Sequence, residues 1–231
     1  MDNALLTLLR SVDTPTVCNA IETAQGRRGF NDFTRGTVLA SAPEAGAIVG
    51  YARTARIAAQ APSSDPADKV RTRRLGYYRH MSEGEGPSIA VVEDVDYPNA
   101  IGAYWGEVNT TVHKALGLAG ALTNGVMRDL GDLPDGFPVI AGSIGPSHAF
   151  VHVVDYAAGA RVFDLDIAEG DLVHADRHGA LVIPPDVIAD LAAAIETLFR
   201  AESCILEPAR RGPMSFAEFE AAWAAFEQAR T

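Results

Sequence analysis

Apolar positions along this chain repeat at two spacings, and each switch between them marks an element. Residues 5–9 and 14–24 carry apolar side chains at helical spacing. Thr14 offers an N-cap and Pro15 takes the first helical position, where the absent N–H has no intrahelical partner to lose. Val17, Ala20 and Ile21 form the stripe. Residues 37–40 and 46–58 read as strands; in the second, Ala47, Ile48 and Val49 precede an alternating run from Tyr51 to Arg56. A Pro- and Ser-rich loop at 61–66 then leads into a basic helix over 67–81, with Asp65 as N-cap and Pro66 at the first helical position.

The middle of the chain alternates strand, helix, strand. Residues 88–93 are a short apolar run that ends on an acid, residues 107–118 return to helical spacing, and residues 120–125 form the next strand. Such β-α-β alternation predicts an α/β domain with a partly parallel sheet. Strand-like runs follow at 137–141, 151–155, 161–163, 172–175 and 180–183, with Gly, Pro or Asp between them. Helices over 186–201 and 215–228 close the sequence. In the last one Phe216, Phe219, Trp223 and Phe226 recur every three or four residues, a stripe read as packing or a subunit contact. No internal repeat interrupts this order, and 231 residues suit one domain.

Composition narrows the function classes. With 48% hydrophobic and 21% charged residues the chain reads as globular, not disordered. Nineteen Lys and Arg against 30 Asp and Glu give a net charge of −11, which repels phosphate backbones and argues against a nucleic-acid partner. Arg71, Arg73 and Arg74 form the one basic cluster and read as a solvated helix face. No stretch approaches the roughly 20 apolar residues that span a bilayer. The opening Met1-Asp2-Asn3-Ala4 has neither the basic region nor the apolar run of a signal peptide. Cys18 and Cys204 lie far apart with no CxxC, so reduced, mostly buried thiols in the cytoplasm are expected.

The familiar motifs for dinucleotides, P-loops, zinc peptidases and α/β-hydrolases are absent. His148 with His152, and His174 with His178, are four apart, a spacing that joins metal ligands only on a helix. Both pairs fall among strand and turn residues and read as structural, as do Asp176 and His178 as turn caps. Gly170 and Gly179 read as positions that require positive φ. Carboxylates are more informative. Glu107 opens a helix after Gly106, and Arg128-Asp129 follows a strand. In a β-α-β unit these two places share the ligand-binding rim of the sheet. Carboxylates there suit a hard cation such as Mg²⁺, and the arginine suits a substrate carboxylate or a developing enolate. Amides at the helix start after Gly106 add donors for an anion. On residues alone, Arg128-Asp129 reads first as a surface turn closed by an ion pair.

Residues 105–109 (Trp-Gly-Glu-Val-Asn) and 120–129 (Gly-Ala-Leu-Thr-Asn-Gly-Val-Met-Arg-Asp) resemble the signature of the RraA-like family. That family includes class II 4-hydroxy-4-methyl-2-oxoglutarate / 4-carboxy-4-hydroxy-2-oxoadipate aldolases and regulators of ribonuclease E activity. The aldolases carry an acid, twenty intervening residues and then Arg-Asp, the interval between Glu107 and Arg128-Asp129. Residues 14–22, 50–57 and 169–184 resemble further family segments in the same order, so the resemblance spans about residues 10–215, with 215–231 a C-terminal helix.

The resemblance implies an α/β/α sandwich around a β-barrel-like core, assembled as a homotrimer or a homohexamer with sites between subunits. It implies Mg²⁺ or Mn²⁺ on Asp129, with Glu107 holding a metal-bound water and Glu202 supplied by an adjacent subunit as a further ligand. Arg128 would contact the substrate and stabilise a pyruvate enolate. Backbone amides of Gly106, Glu107, Val108 and Asn109 would seat the pyruvyl carboxylate. The expected activity is a metal-dependent lyase that cleaves a 4-hydroxy-2-oxo acid to pyruvate, with oxaloacetate decarboxylation alongside. Neither Lys69 nor Lys114 suits a Schiff base. One departure stands out: the aldolases have Asp where this chain has Glu107, whose extra methylene extends the carboxylate by about 1.5 Å. A protein-binding regulator, or a relative acting on another keto or sugar acid, are the alternatives.

Overall fold

The computed structural model describes residues 1–84 and 86–229. Helix α1 (Asn3–Ser11) begins where the Asp2 side chain accepts a hydrogen bond from Leu5 N at 2.7 Å, and α2 (Thr14–Gln25) follows. Strands β1 (Leu39–Ala40) and β2 (Ile48–Ala58) precede the basic helix α3 (Ala67–Ser82). Asp65 does not cap α3: the N-cap is Pro66, and the Asp65 carboxylate pairs with Arg73 at 2.6 Å instead. Next come β3 (Ser88–Asp94), β4 (Ala103–Trp105) and α4 (Glu107–Ala115). Helix α4 stops short of the expected Leu118 because Gly117 takes φ +93°, a left-handed conformation that ends helices and starts the next strand one residue later.

Strands β5 (Leu118–Thr123), β6 (Val126–Met127), β7 (Val139–Ala141), β8 (Ser143–Ile144) and β9 (His152–Tyr156) succeed it. Two hairpins follow, β10 (Ala160–Val162) with β11 (Leu165–Ile167) and β12 (Leu172–Asp176) with β13 (Gly179–Val182). The first residues of the expected helix over 186–201 form instead a separate 3₁₀ turn, Pro185–Val187. The helix itself, α5 (Leu191–Arg210), starts later and runs further, and α6 (Phe216–Ala229) ends the described chain. No helix among the described residues is long and apolar enough to cross a membrane.

These elements fall into two compact units: Asp2–Thr14 with Asn31–Ile183, and Met1 with Pro15–Phe30 and the chain from Pro184 onward. The larger unit is α/β, as expected. Its main sheet runs β1-β7-β5-β3-β2-β12-β13, with β9 also paired to β2. β2, β3, β5 and β7 are mutually parallel neighbours, and the other pairings are antiparallel. One edge of β2 carries β3, while the other carries β12 along residues 48–51 and β9 along residues 55–58, with a register shift at Arg56/Ile57. Two strands sharing one edge bend the sheet, and it curls into a half-barrel.

Both faces of this sheet are buried, which is why its central strand β3 reads as a short apolar run. On one face Ile89, Val91, Leu122 and Ile140 pack with Val162, Leu165 and Ile167 of the β10–β11 hairpin. On the other, Ala90, Val92, Val139 and Ala141 pack with Tyr77 and Met81 of α3 and with Trp105 and Phe137. His174 is structural, as expected: Nε2–H donates to Leu9 O (2.9 Å), and Nδ1 accepts from the Thr14 hydroxyl (3.0 Å). Asp176 accepts from Thr14 N at 3.0 Å and from His178 N at 2.8 Å, and Gly170 and Gly179 both take positive φ.

In the smaller unit α5 buries Leu191, Ala194, Ile195, Leu198 and Ala201. Among the described residues α6 buries only Ala222 and leaves Phe216, Phe219 and Trp223 exposed, their successive rings tilted against one another with centroids 5.8–6.0 Å apart. Cys18 and Cys204 are free thiols, but half-buried instead of fully enclosed.

An acid-sensitive clasp holds β2 in the larger unit. Glu169 accepts from the Thr54 amide and hydroxyl, both at 2.7 Å, pairs with Arg53 at 2.9 Å and lies 3.4 Å from His80 Nε2. Burial pushes this carboxyl up, but the bonds from His80 and Thr54 outweigh it and hold the pKa down to about 2. Its folded value lies below the unfolded one, so the stabilisation is complete above pH 4.5 and drains as pH falls toward 2. Glu169→Gln is expected to cost about 2–3 kcal/mol at pH 7 and to flatten the acid limb of the stability curve. Urea midpoints at pH 7 and pH 3.5 check this; parallel losses in both proteins would refute the clasp.

Candidate active site

Three very short strands set the site. β4, β6 and β8 form a parallel three-stranded sheet in which Trp105 lies opposite Met127. The residues just beyond those two strands, Gly106 and Arg128, are therefore neighbours. Arg128 N donates to Trp105 O at 2.9 Å, fixing the turn. Asp129 takes φ +55°, a left-handed conformation that aspartate tolerates better than most residues, and its Oδ2 accepts from Glu107 N at 3.1 Å. The Arg128 Nε lies 3.4 Å from the same oxygen. Gly106 is the N-cap of α4 and leaves this contact room: a Cβ there would stand 2.5 Å from Asp129 Oδ2 and 2.8 Å from Arg128 Nε.

The structure thus brings Gly106, the Glu107 backbone, Arg128 and Asp129 together. The first intrahelical bond of α4 runs from Thr110 N to Gly106 O (3.0 Å), so the amides of Val108 and Asn109 lie outside the helical ladder and are donors for an anion. Side chains of Glu107 and Val108 are exposed, Val108 to 75%. The Asn109 side chain is committed elsewhere: Oδ1 accepts from the Tyr78 hydroxyl and Nδ2 donates to Tyr104 O, both at 2.9 Å. Of Asn109, then, the backbone alone can serve a ligand.

Beneath the first turn of α4 lies a buried polar network. His113 Nδ1–H donates to Asn109 O at 2.6 Å and Nε2 accepts from the Tyr77 hydroxyl at 2.5 Å. Burial brings His113 down to about 4, so it stays neutral and keeps this tautomer at physiological pH. Tyr104 and Trp105 meet its ring edge-on, and Tyr77 and Tyr78 pack tilted against it. The amides that open α4 are thereby held by side chains from both α3 and α4.

Gly106, Val108, Asn109 and Arg128 form part of the wall of an open groove of about 960 Å³. The facing wall includes Arg71, Arg74, Leu75 and Tyr78, a single face of α3. Arg71 and Arg74 are exposed, as the reading of a solvated helix face expects, and Arg73 is half-buried. Arg73 turns away to pair with Asp65, while Arg71 and Arg74 line the groove. Residues 71, 74, 75 and 78 are spaced i, i+3, i+4 and i+7, which places them on one helical face. His148 and His152 also line the groove, each with Nδ1 hydrogen-bonded to a backbone oxygen nearby (2.8 and 2.9 Å).

Glu202 belongs to the smaller unit, where it lines a separate cleft of about 550 Å³ with Glu22, Arg27 and Arg28. Among the described residues no three His, Cys, Asp or Glu side chains are grouped to hold a metal ion. Two carboxylates border this turn: Glu107 opens α4 with its side chain exposed, and Asp129 follows β6 with one oxygen already engaged by Glu107 N. That donor set fits a hard divalent cation that binds through one or two carboxylates and keeps several waters, not one caged by protein.

Comparison with known proteins gives the family of the chain. The sequence pattern of the RraA-like family, described as Aldolase/RraA, matches residues 14–182. The chain belongs to the RraA-like family. Its members include both aldolases and inhibitors of ribonuclease E, and RraA proteins are oligomeric. No curated protein matches the chain. Among solved structures, a Pseudomonas syringae pv. tomato protein superposes with a TM-score of 0.70 at 18% identity, over 100% of this chain and 94% of that one. RraAS2 of Streptomyces coelicolor, described as an unusual member of the RNase ES inhibitor RraA family, gives 0.65 at 22% identity, over 92% and 98%. A structure described among novel cellulases from gut-associated microbes gives 0.70 at 20% identity, over 88% and 87%. At these identities the RraA-like fold is what they share.

Proposed function

We propose that this RraA-like protein is a divalent-metal-dependent carbon–carbon lyase that cleaves a 4-hydroxy-2-oxo acid to pyruvate. The observation that carries the reading is the Arg128–Asp129 pair locked against the start of α4 in the wall of a cationic groove. The substrate carboxylate seats on the amides of Val108 and Asn109. Arg128 directs its guanidinium to the 2-oxo oxygen, where negative charge develops. Glu107, at the exposed helix start, takes the proton of the 4-hydroxyl through water. The C3–C4 bond then breaks; C4 leaves as a carbonyl, and the electron pair passes into the enolate of pyruvate, which is protonated at C3. Asp129 and Glu107 would hold Mg²⁺ or Mn²⁺, which supplies Lewis-acid stabilisation of that charge when bound. In an oligomer of this chain, a trimer or hexamer, Glu202 of a neighbouring copy completes the ligand set. Oxaloacetate passes through the same enolate and is decarboxylated alongside.

Pyruvate release from oxaloacetate and from 4-carboxy-4-hydroxy-2-oxoadipate, followed with lactate dehydrogenase, tests the reading. Release is expected with Mg²⁺, to stop with EDTA, and to fall at least about 100-fold in Asp129→Ala. Turnover that survives either EDTA or the loss of Asp129 would overturn the site assignment. Absence of turnover on every 2-oxo acid tried, with no Mg²⁺ binding by calorimetry, would place the chain with the family's protein-binding regulators.

A further inference from the structure

Three large apolar side chains meet water in the groove that Arg128 borders. Leu75 of α3, Val108 of α4 and Phe150, on the segment between β8 and β9, are 52%, 75% and 55% exposed. Single exposed apolar residues are ordinary, but three around one concavity mark a binding groove. Phe150 is no stray loop residue: its N–H donates to Ala59 O, and the next amide, of Val151, donates to His148 O, both at 3.1 Å. At about 960 Å³ the groove also holds far more than a pyruvyl group.

These side chains share the groove with the exposed guanidiniums of Arg71 and Arg74, and the mixture decides what fits. A second carboxylate would meet the arginines and leave Leu75 and Phe150 in water. A saturated chain would cover the apolar side chains, yet strip water from two cations and give them nothing in return. An aromatic ring serves both, because its body takes apolar contact and its negative face takes a planar guanidinium. The Tyr78 hydroxyl is committed to Asn109 at 2.9 Å, so Tyr78 offers the groove its ring and not its polar tip. That bond also ties α3 to the first turn of α4, where the pyruvyl group is seated. Arg74 and Arg71 stand about 6 and 10 Å along the axis from Tyr78, room for a ring joined directly to C4 of the substrate.

We propose that Leu75, Phe150, Arg71 and Arg74 form a subsite for an aromatic ring on the leaving half of the substrate. The proposal rests on the lyase reading for the pyruvyl half and names the class of the whole: 4-aryl-4-hydroxy-2-oxo acids. Cleavage of C3–C4 in such a compound releases an aromatic aldehyde and pyruvate. The 4-hydroxyl gives up its proton as C4 becomes the aldehyde carbon, and the electron pair of the broken bond ends as a C–H bond at C3. Neither an oxidant nor a further reactant is consumed.

Binding is measured first, by calorimetry with Mg²⁺ present, on four ligands that share one 2-oxo acid head. These are 2-oxo-4-phenylbutanoate, 2-oxo-4-cyclohexylbutanoate, 2-oxoglutarate and 2-oxobutanoate. Wild type is expected to bind the phenyl compound about 30-fold more tightly than 2-oxobutanoate, and more tightly than either of the others. In Leu75→Ser/Phe150→Ser that margin falls to a few-fold. In Arg71→Gln/Arg74→Gln the phenyl and cyclohexyl compounds bind alike; circular dichroism confirms that each variant is folded. Equal binding of the phenyl compound and 2-oxobutanoate by wild type, tighter binding of 2-oxoglutarate than of the phenyl compound, a margin untouched by the serine changes, or no binding of any of the four would each overturn the subsite. Turnover is measured separately, as benzaldehyde and pyruvate from 4-hydroxy-2-oxo-4-phenylbutanoate. The phenyl preference without cleavage of any 4-hydroxy-2-oxo acid removes the lyase and leaves the subsite; cleavage of other 4-hydroxy-2-oxo acids without the preference removes the subsite and leaves the lyase.

Discussion

Arg128→Ala is expected to lower kcat/KM for pyruvate release by about 10²–10³-fold. Arg128 is set in place by its own backbone bond to Trp105 O (2.9 Å), and its Nε is buried 3.4 Å from Asp129 Oδ2. A guanidinium held in this way loses little freedom when charge develops on the substrate, so its contribution is concentrated in the transition state. Consequently kcat falls, and KM rises much less. Arg128→Lys restores the charge without the planar fork and should recover only part of the rate. Steady-state kinetics on both substrates measure the split. Should Arg128→Ala raise KM and leave kcat intact, the arginine binds the substrate carboxylate and has no part in stabilising the enolate.

The second large effect comes from the smallest side chain at the site. Gly106→Ala introduces a Cβ 2.5 Å from Asp129 Oδ2 and 2.8 Å from Arg128 Nε, closer than real Cβ atoms approach such groups. Backbone strain is not the cause, because Gly106 has φ −119°, which alanine adopts freely. Both functional side chains must instead shift by the better part of an ångström, and a displacement of that size costs about 10²-fold in rate. Stability changes by only about 1 kcal/mol, since Gly106 caps α4 without any side-chain bond. The signature is a collapsed rate with a nearly unchanged melting temperature. Full activity in Gly106→Ala would mean that Arg128 and Asp129 work in some other arrangement.

Much of this protein could be read from local spacing. The parallel strand β3 announced itself as an apolar run because both of its faces are buried, and β2 as three apolar residues followed by alternation. Glu107 and Arg128-Asp129 could be placed on one rim because a β-α-β unit returns the chain to the same end of the sheet, and the signature they carry placed the chain in its family. The helix ends were less legible. α4 stopped at Ala115, just before the left-handed Gly117, and α5 began only after a 3₁₀ turn, where single residues outweigh the periodic pattern.

Alternation and helical stripes are properties of neighbours in sequence, so the sequence by itself determined the α/β class, the main strands and the catalytic candidates. What it left open depended on contacts between distant residues. β4, β6 and β8 are two or three residues long, too short for any period to register, and only their mutual pairing defines them. That pairing sets Gly106 against Arg128 and Asp129. Likewise, helical spacing placed Arg71 and Arg74 on one face of α3, but only the packing of Tyr77 and Met81 into the core turned that face toward the groove. Periodicity says which side chains look the same way; the tertiary fold decides what they look at.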